Sequence, residues 1–107
     1  MKAQEPCLTD LSVELLERMA GTLRVLAHPQ RLRIVEILEA ETEAPVHEIV
    51  ARLGLPQAAI SQHLNHMRRA GLLKARRRGK EVWYGIAEPS SLIILDCIRK
   101  KQGRAPA

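Results

Sequence analysis

Residues 55–70, LPQAAISQHLNHMRRA, leave few structural options open. At 3.6 residues per turn, Ile60, Leu64 and Met67 fall on one side. Gln57, Ala58, Ser61, Gln62, Asn65, Arg68 and Arg69 fall on the other. Pro56 suits the start of such a helix and Gly71 its end. The apolar side can pack on a core. The opposite side offers carboxamides, a hydroxyl and guanidinium groups, which pair with base edges and hold phosphates in a DNA major groove. The stretch is predicted to be a DNA-recognition helix.

The charge pattern agrees. The net charge is +5 over 107 residues, but the sign is segregated. Between residues 49 and 80 there is no Asp or Glu, while Arg52, Arg68, Arg69, Lys74, Arg76, Arg77, Arg78 and Lys80 are basic. Between residues 10 and 48 the acids Asp10, Glu14, Glu17, Glu36, Glu39, Glu41, Glu43 and Glu48 outnumber Arg18, Arg24, Arg31 and Arg33. A basic half of this kind points to a polyanionic partner. Hydrophobic residues make up 46%, yet the aromatics are only Trp83 and Tyr84, so the core must be aliphatic. The length suits one domain. No apolar run approaches the ~20 residues that cross a bilayer. The N-terminal ten residues lack a secretory signal's apolar core, so the chain is read as cytoplasmic with no membrane partner.

In chain order, a flexible arm is expected over residues 1–8, one domain over 9–102, and a frayed end over 103–107. Thr9 or Asp10 is expected to cap a first helix. Its stripe of Leu11, Leu15, Leu16, Met19, Leu23 and Leu26 is either buried deep in the monomer or packed on a second copy. His28-Pro29 starts a second helix carrying Leu32, Ile34, Val35, Ile37 and Leu38 to about residue 39. Residues 39–44 read as a polar connection. Pro45 opens a short helix that buries Ile49, Val50 and Leu53 and ends at Gly54. Two short helices joined by a few residues including Gly match the helix-turn-helix pattern. Residues 72–77 and 81–86 read as strands, with Arg78, Gly79 and Lys80 as the basic tip of a hairpin. A last helix from Glu88 and Pro89 has Leu92, Ile93, Leu95, Cys97 and Ile98 available for burial. The predicted fold class is mainly α with a small β-hairpin, a winged helix-turn-helix of order α-α-α-α-β-β-α.

This order, with LAHPQRLRIVEIL at 26–38, LPQAAISQHLNHMRRAGLL at 55–73 and RRRGKEVWYGI at 76–86, resembles the ArsR/SmtB family of bacterial winged-helix repressors. The resemblance covers residues 23–86 and, in outline, both terminal helices. It implies a homodimer joined through the first and last helices, bound to a palindromic operator in double-stranded DNA. It places the DNA-reading residues on Gln57, Ala58, Ser61 and Gln62, with His63 beside them; Ala58 stands where Ser is common. Asn65 and Arg68 join them on the helix's polar side. Because alternate strand residues face opposite ways, Arg78 and Lys80 at the wing tip are the expected phosphate contacts. The reading of a different class is a winged-helix protein–protein module without specific DNA binding.

The resemblance also implies an effector: a small molecule, a metal or an oxidant. The Cys-Val-Cys motif of the family's arsenic and cadmium sensors reads Pro45-Val46-His47 here, and the last helix contains no His. Neither familiar metal site is present, and no cofactor is expected. A set formed by Cys7, His47 and Cys97 stays open, as does a thiol switch between Cys7 and Cys97. The plainer alternative makes Cys97 a small core residue and Cys7 an incidental thiol. No Ser-His-acid arrangement or Gly-rich phosphate loop appears, so no enzyme is predicted.

Overall fold

The computed structural model describes residues 10–103. Its elements are α1 (Val13–Leu26), α2 (Pro29–Glu41), β1 (Glu43–Pro45), α3 (Val46–Leu53), α4 (Gln57–Arg69), β2 (Leu73–Arg78), β3 (Glu81–Ile86) and α5 (Ser90–Lys101). The five helices and the hairpin fall where the sequence places them, and β1 is an addition. The expected arm, the Thr9 cap, Cys7 and residues 104–107 lie outside the described residues. Ser12 caps α1 instead, its Oγ accepting the Leu15 N–H at 3.0 Å. The hairpin turn is Gly79-Lys80 alone, since Arg78 still pairs with Glu81 as the last residue of β2.

One aliphatic core holds the elements together. Ile34, Val35 and Leu38 of α2 meet Ile49 of α3, Ile60, Leu64 and Met67 of α4, Leu72, Leu73 and Leu95. Each such side chain, fully buried, contributes ~1.5–3 kcal/mol relative to exposure. Both helices of the helix-turn-helix end with backbone in the left-handed region. Gly54 (φ +71°) closes α3 by donating to the Val50 carbonyl at 2.8 Å. Gly71 (φ +84°) turns the chain so that Leu72 N–H reaches the Met67 carbonyl at 3.0 Å.

The stretch read as a polar connection contains β1 because α2 runs on to Glu41 and Thr42 reverses the chain. Thr42 sits at φ 70°, ψ −54°, a strained conformation for a β-branched residue, and its N–H bonds the Leu38 carbonyl. β1 then pairs antiparallel with β3, Glu43 opposite Gly85 and Pro45 opposite Trp83, giving a sheet of order β1-β3-β2. Gly85 permits this approach: a Cβ there would lie 3.2 Å from the Thr42 carbonyl oxygen.

Two helices keep apolar surface outside. On α1 and just before it, Leu11, Val13, Leu16 and Leu23 are 52%, 63%, 49% and 50% exposed; on α5, Ile93 and Ile98 are 65% and 43% exposed. The α1 stripe is therefore not a monomer core, apart from buried Leu26. Of the α5 residues available for burial, Leu95 is buried and Cys97 is exposed. Arg99 fixes α5 to α2, donating to Glu39 at 2.6 Å and to Asp96 at 2.8 Å. Those carboxylates, Glu39 first, hold the guanidinium pKa above its ordinary value.

Candidate nucleic-acid interface

α4 presents its two sides as its sequence dictates. Ile60, Leu64 and Met67 are fully buried. Gln57, Ala58, Ser61, Gln62, Asn65 and Arg68 are all exposed. Arg68 donates to the Asn65 side-chain Oδ1 at 2.9 Å, which orients the amide of Asn65 along the helix surface. The result is a row of donors and acceptors on a helix anchored along its whole back. Such a helix is dimensioned to enter a major groove.

His63, grouped by the resemblance with the reading residues, is placed at the edge of the buried side and half-buried. Its Nδ1 accepts a hydrogen bond from Arg31 Nε of α2 at 3.1 Å, so the neutral ring carries its proton on Nε2. The His28 ring meets it edge-on, with centroids 4.6 Å apart. Arg31 also donates to the Val25 carbonyl at 3.2 Å, and its other terminal nitrogen lies 3.4 Å from His66 Nδ1. Burial, then electrostatic repulsion from the neighbouring His28, Arg31 and His66 side chains, holds the His63 pKa below its ordinary value. His28 itself caps α2, its Nδ1 accepting the Gln30 N–H at 3.2 Å. The histidines thus brace α4 against α2 from behind the exposed row. The sequence puts His63 beside the reading residues but carries no signal for Arg31, which comes from 32 residues away.

The wing separates its cations by face. Leu73, Ala75 and Arg77 stand opposite Ile86, Tyr84 and Val82, and Tyr84 and Ile86 pack on the core. Lys74, Arg76 and Arg78 stand on the other face with Gly85, Trp83 and Glu81. There Arg76 donates to Glu43 at 2.6 Å, and Arg78 lies 3.6 Å from the same oxygen. Arg78 also stacks 4.2 Å above the Trp83 ring. Trp83 Nε1 donates to Glu81 at 3.2 Å, and the other Glu81 oxygen is 3.2 Å from His47 of α3. The hydrogen bond from Arg76, then the charges of Arg76, Arg78 and Lys74, keep the Glu43 carboxyl below the usual carboxylate range. Of the two expected tip contacts, Lys80 is exposed and forms no ion pair among the described residues, whereas Arg78 is already engaged.

Cys97 is an exposed free thiol on α5, and Cys7 lies outside the described residues. Among the described residues no three His, Cys, Asp or Glu side chains gather as a metal-ligand set. No described helix is long and apolar enough to cross a membrane.

A helix-turn-helix followed by a two-stranded wing, with helices before and after, defines a winged helix-turn-helix regulator. Residues 28–75 match the model of the bacterial regulatory protein, arsR family. The chain is 40% identical over 86 residues to the HTH-type transcriptional repressor SmtB of Mycobacterium tuberculosis, an alignment covering 79% of this chain and 63% of that protein's length. It is 43% identical over 74 residues to the transcriptional repressor PagR of Bacillus anthracis, covering 69% and 74%. The PagR crystal structure superposes with a TM-score of 0.73 at 39% identity, over 79% of this chain and 97% of that one. The solution structure of a homodimeric winged helix-turn-helix DNA-binding domain from Mycobacterium bovis superposes with a TM-score of 0.72 at 27% identity, covering 96% and 91%. The chain belongs to the arsR family of bacterial regulatory proteins.

Proposed function

We propose that this protein is a homodimeric transcriptional repressor that binds a palindromic operator in double-stranded DNA, one α4 per half-site. The observation that carries the reading is the exposed polar row of α4, Gln57, Ser61, Gln62, Asn65 and Arg68, on a helix whose opposite side is fully buried. Gln57 and Gln62 suit paired amide contacts to adenine, and Ser61 suits a phosphate or base. Lys80 and the wing arginines supply phosphate contacts that make affinity fall with salt. The apolar surface of α1 and α5 supports a second copy as the partner, in keeping with the homodimeric M. bovis relative. A two-fold dimer sets its reading helices ~34 Å apart, which matches successive major grooves.

Release follows if an effector, or oxidation of a thiol such as Cys97, favours a dimer geometry that fits the operator poorly. Ile93 and Cys97 lie four residues apart on one exposed stretch of α5, so thiol chemistry there would act within the dimer contact. The test is salt-controlled fluorescence anisotropy on DNA selected from a random library, with reduced and diamide-oxidised protein. Gln62→Ala is expected to cost ~1–3 kcal/mol of discrimination for the selected site. Equal affinity of the native protein for selected and random duplexes would defeat the reading.

A further inference from the structure

We propose that Glu43 sets the DNA affinity of the wing: its carboxylate stands in for a backbone phosphate on Arg76 and Arg78, and the duplex must displace it to recruit them. The inference rests on the DNA-binding reading above. It starts from the register. Glu43, Gly85 and Lys74 line up across the three strands, with Trp83 and Arg76 paired two residues along on the same face. Gly85 leaves no side chain between the outer strands, so Arg76 reaches over β3 to Glu43. Arg78 comes to the same carboxylate oxygen from farther along β2. One oxyanion therefore holds two guanidinium groups that share a strand face.

A carboxylate and a phosphate present the same chemistry to guanidinium: an oxyanion that takes charge-assisted N–H bonds. Glu43 is the acid on this face that pairs with β2, and it projects from β1, which belongs neither to the reading helix nor to the hairpin. Arg77 and Lys80 form no ion pair among the described residues, so they meet a phosphate first. Arg76 and Arg78 follow only when Glu43 lets go. The carboxylate gathers the two guanidinium groups at one oxygen, and it subtracts one charge from the wing.

The experiment compares operator binding by the native protein, Glu43→Gln, Glu36→Gln and the pair Arg76→Ala, Arg78→Ala made in the native and Glu43→Gln backgrounds. Glu36 lies on α2 beside Arg33 and removes the same charge elsewhere. Glu43→Gln is expected to tighten binding about 2- to 5-fold, the range for releasing an exposed ion pair. It is also expected to steepen the salt dependence by about 0.9 in log–log slope, one charge's worth of counterion release. The double arginine variant is expected to lose more affinity in the Glu43→Gln background than in the native one. Equal tightening by Glu36→Gln, no tightening by Glu43→Gln, or equal arginine penalties in both backgrounds would overturn the proposal.

A second arm separates this proposal from the DNA reading. Trp83 is the chain's single tryptophan and lies under Arg78, so its fluorescence reports release of that arginine. Tripolyphosphate is titrated against the native protein and Glu43→Gln. Half-saturation at lower tripolyphosphate in Glu43→Gln supports the competition even if no duplex is preferred. Identical titrations overturn it even if operator binding is tight.

Discussion

α4 and α1 are helices of 13 and 14 residues, each with an apolar stripe, and the two stripes meet different fates. On α4, Ile60, Leu64 and Met67 are fully buried, while Gln57, Ser61, Gln62, Asn65 and Arg68 face out. On α1, Leu26 is buried but Leu16 and Leu23 are about half exposed. The difference lies in the neighbours. α4 is backed by α2 and α3, whose own apolar sides converge on it. N-terminal to Leu26, α1 leaves Leu16 and Leu23 uncovered by the described residues. A stripe at helical period therefore says that a face seeks cover, not that its own chain supplies it. For α4 the cover is intramolecular and frees the polar side for a ligand. For α1 the cover proposed above is a second copy, so its contribution would depend on protein concentration.

Three measurements test that contrast. The largest effect is expected from Leu16→Glu combined with Leu23→Glu. With ~1.5–3 kcal/mol at stake per buried leucine, and two leucines from each copy, the dimer should fall to monomers at micromolar concentration. Light scattering after size exclusion checks the mass, and circular dichroism should show the helices retained. An unchanged mass would remove α1 from the interface. Next, Leu64→Ala should lower unfolding free energy by ~2–5 kcal/mol through the cavity left under α4. Denaturant melts at two protein concentrations should show that this loss, unlike the first, does not depend on concentration.

The smallest effect is a pH slope on the brace behind α4. The His63 pKa is lower in the folded chain than its ordinary value, so the unfolded chain takes up a proton at a higher pH than the folded one. The brace is at full strength above the unfolded value near 6.5 and weakens as pH falls through it towards the folded value. Protonation also removes the acceptor that Arg31 uses. His63→Gln should flatten the decline of melting temperature as pH falls below about 6.5. An unchanged slope would move the titration elsewhere.

Much of this architecture is legible in the order of residues because its signals are local. Ile60, Leu64 and Met67 announce α4, while Gly54 and Gly71 punctuate the helix ends. The amphipathic row on α4 was read correctly down to which side chains are exposed. β1 was not, because three residues ending in Pro45 carry no period, and its pairing is with Gly85, about forty positions on. The ties that organise the site escaped for the same reason. Arg31 to His63, Arg76 to Glu43 and Arg99 to Glu39 span 32, 33 and 60 residues. Alternation in β2 correctly warned that three consecutive arginines cannot share a face. It could not show that Arg76 and Arg78 already have an acid between them. From sequence, Cys97 reads as a core residue, half of a thiol switch or one of a metal set with Cys7 and His47, and its exposure removes the first option within a single copy.

The tie between Arg99 and Glu39 makes a gear train of the protomer. α5 is clasped to α2 through Arg99, and α2 is clasped to α4 through Arg31 and His63. These two contacts give α5 a side-chain route to the reading helix. In the proposed dimer, the span between the two reading helices would be the dial on which a twist at α5 is displayed. The fixed pitch of the double helix is the gauge against which the dial is read.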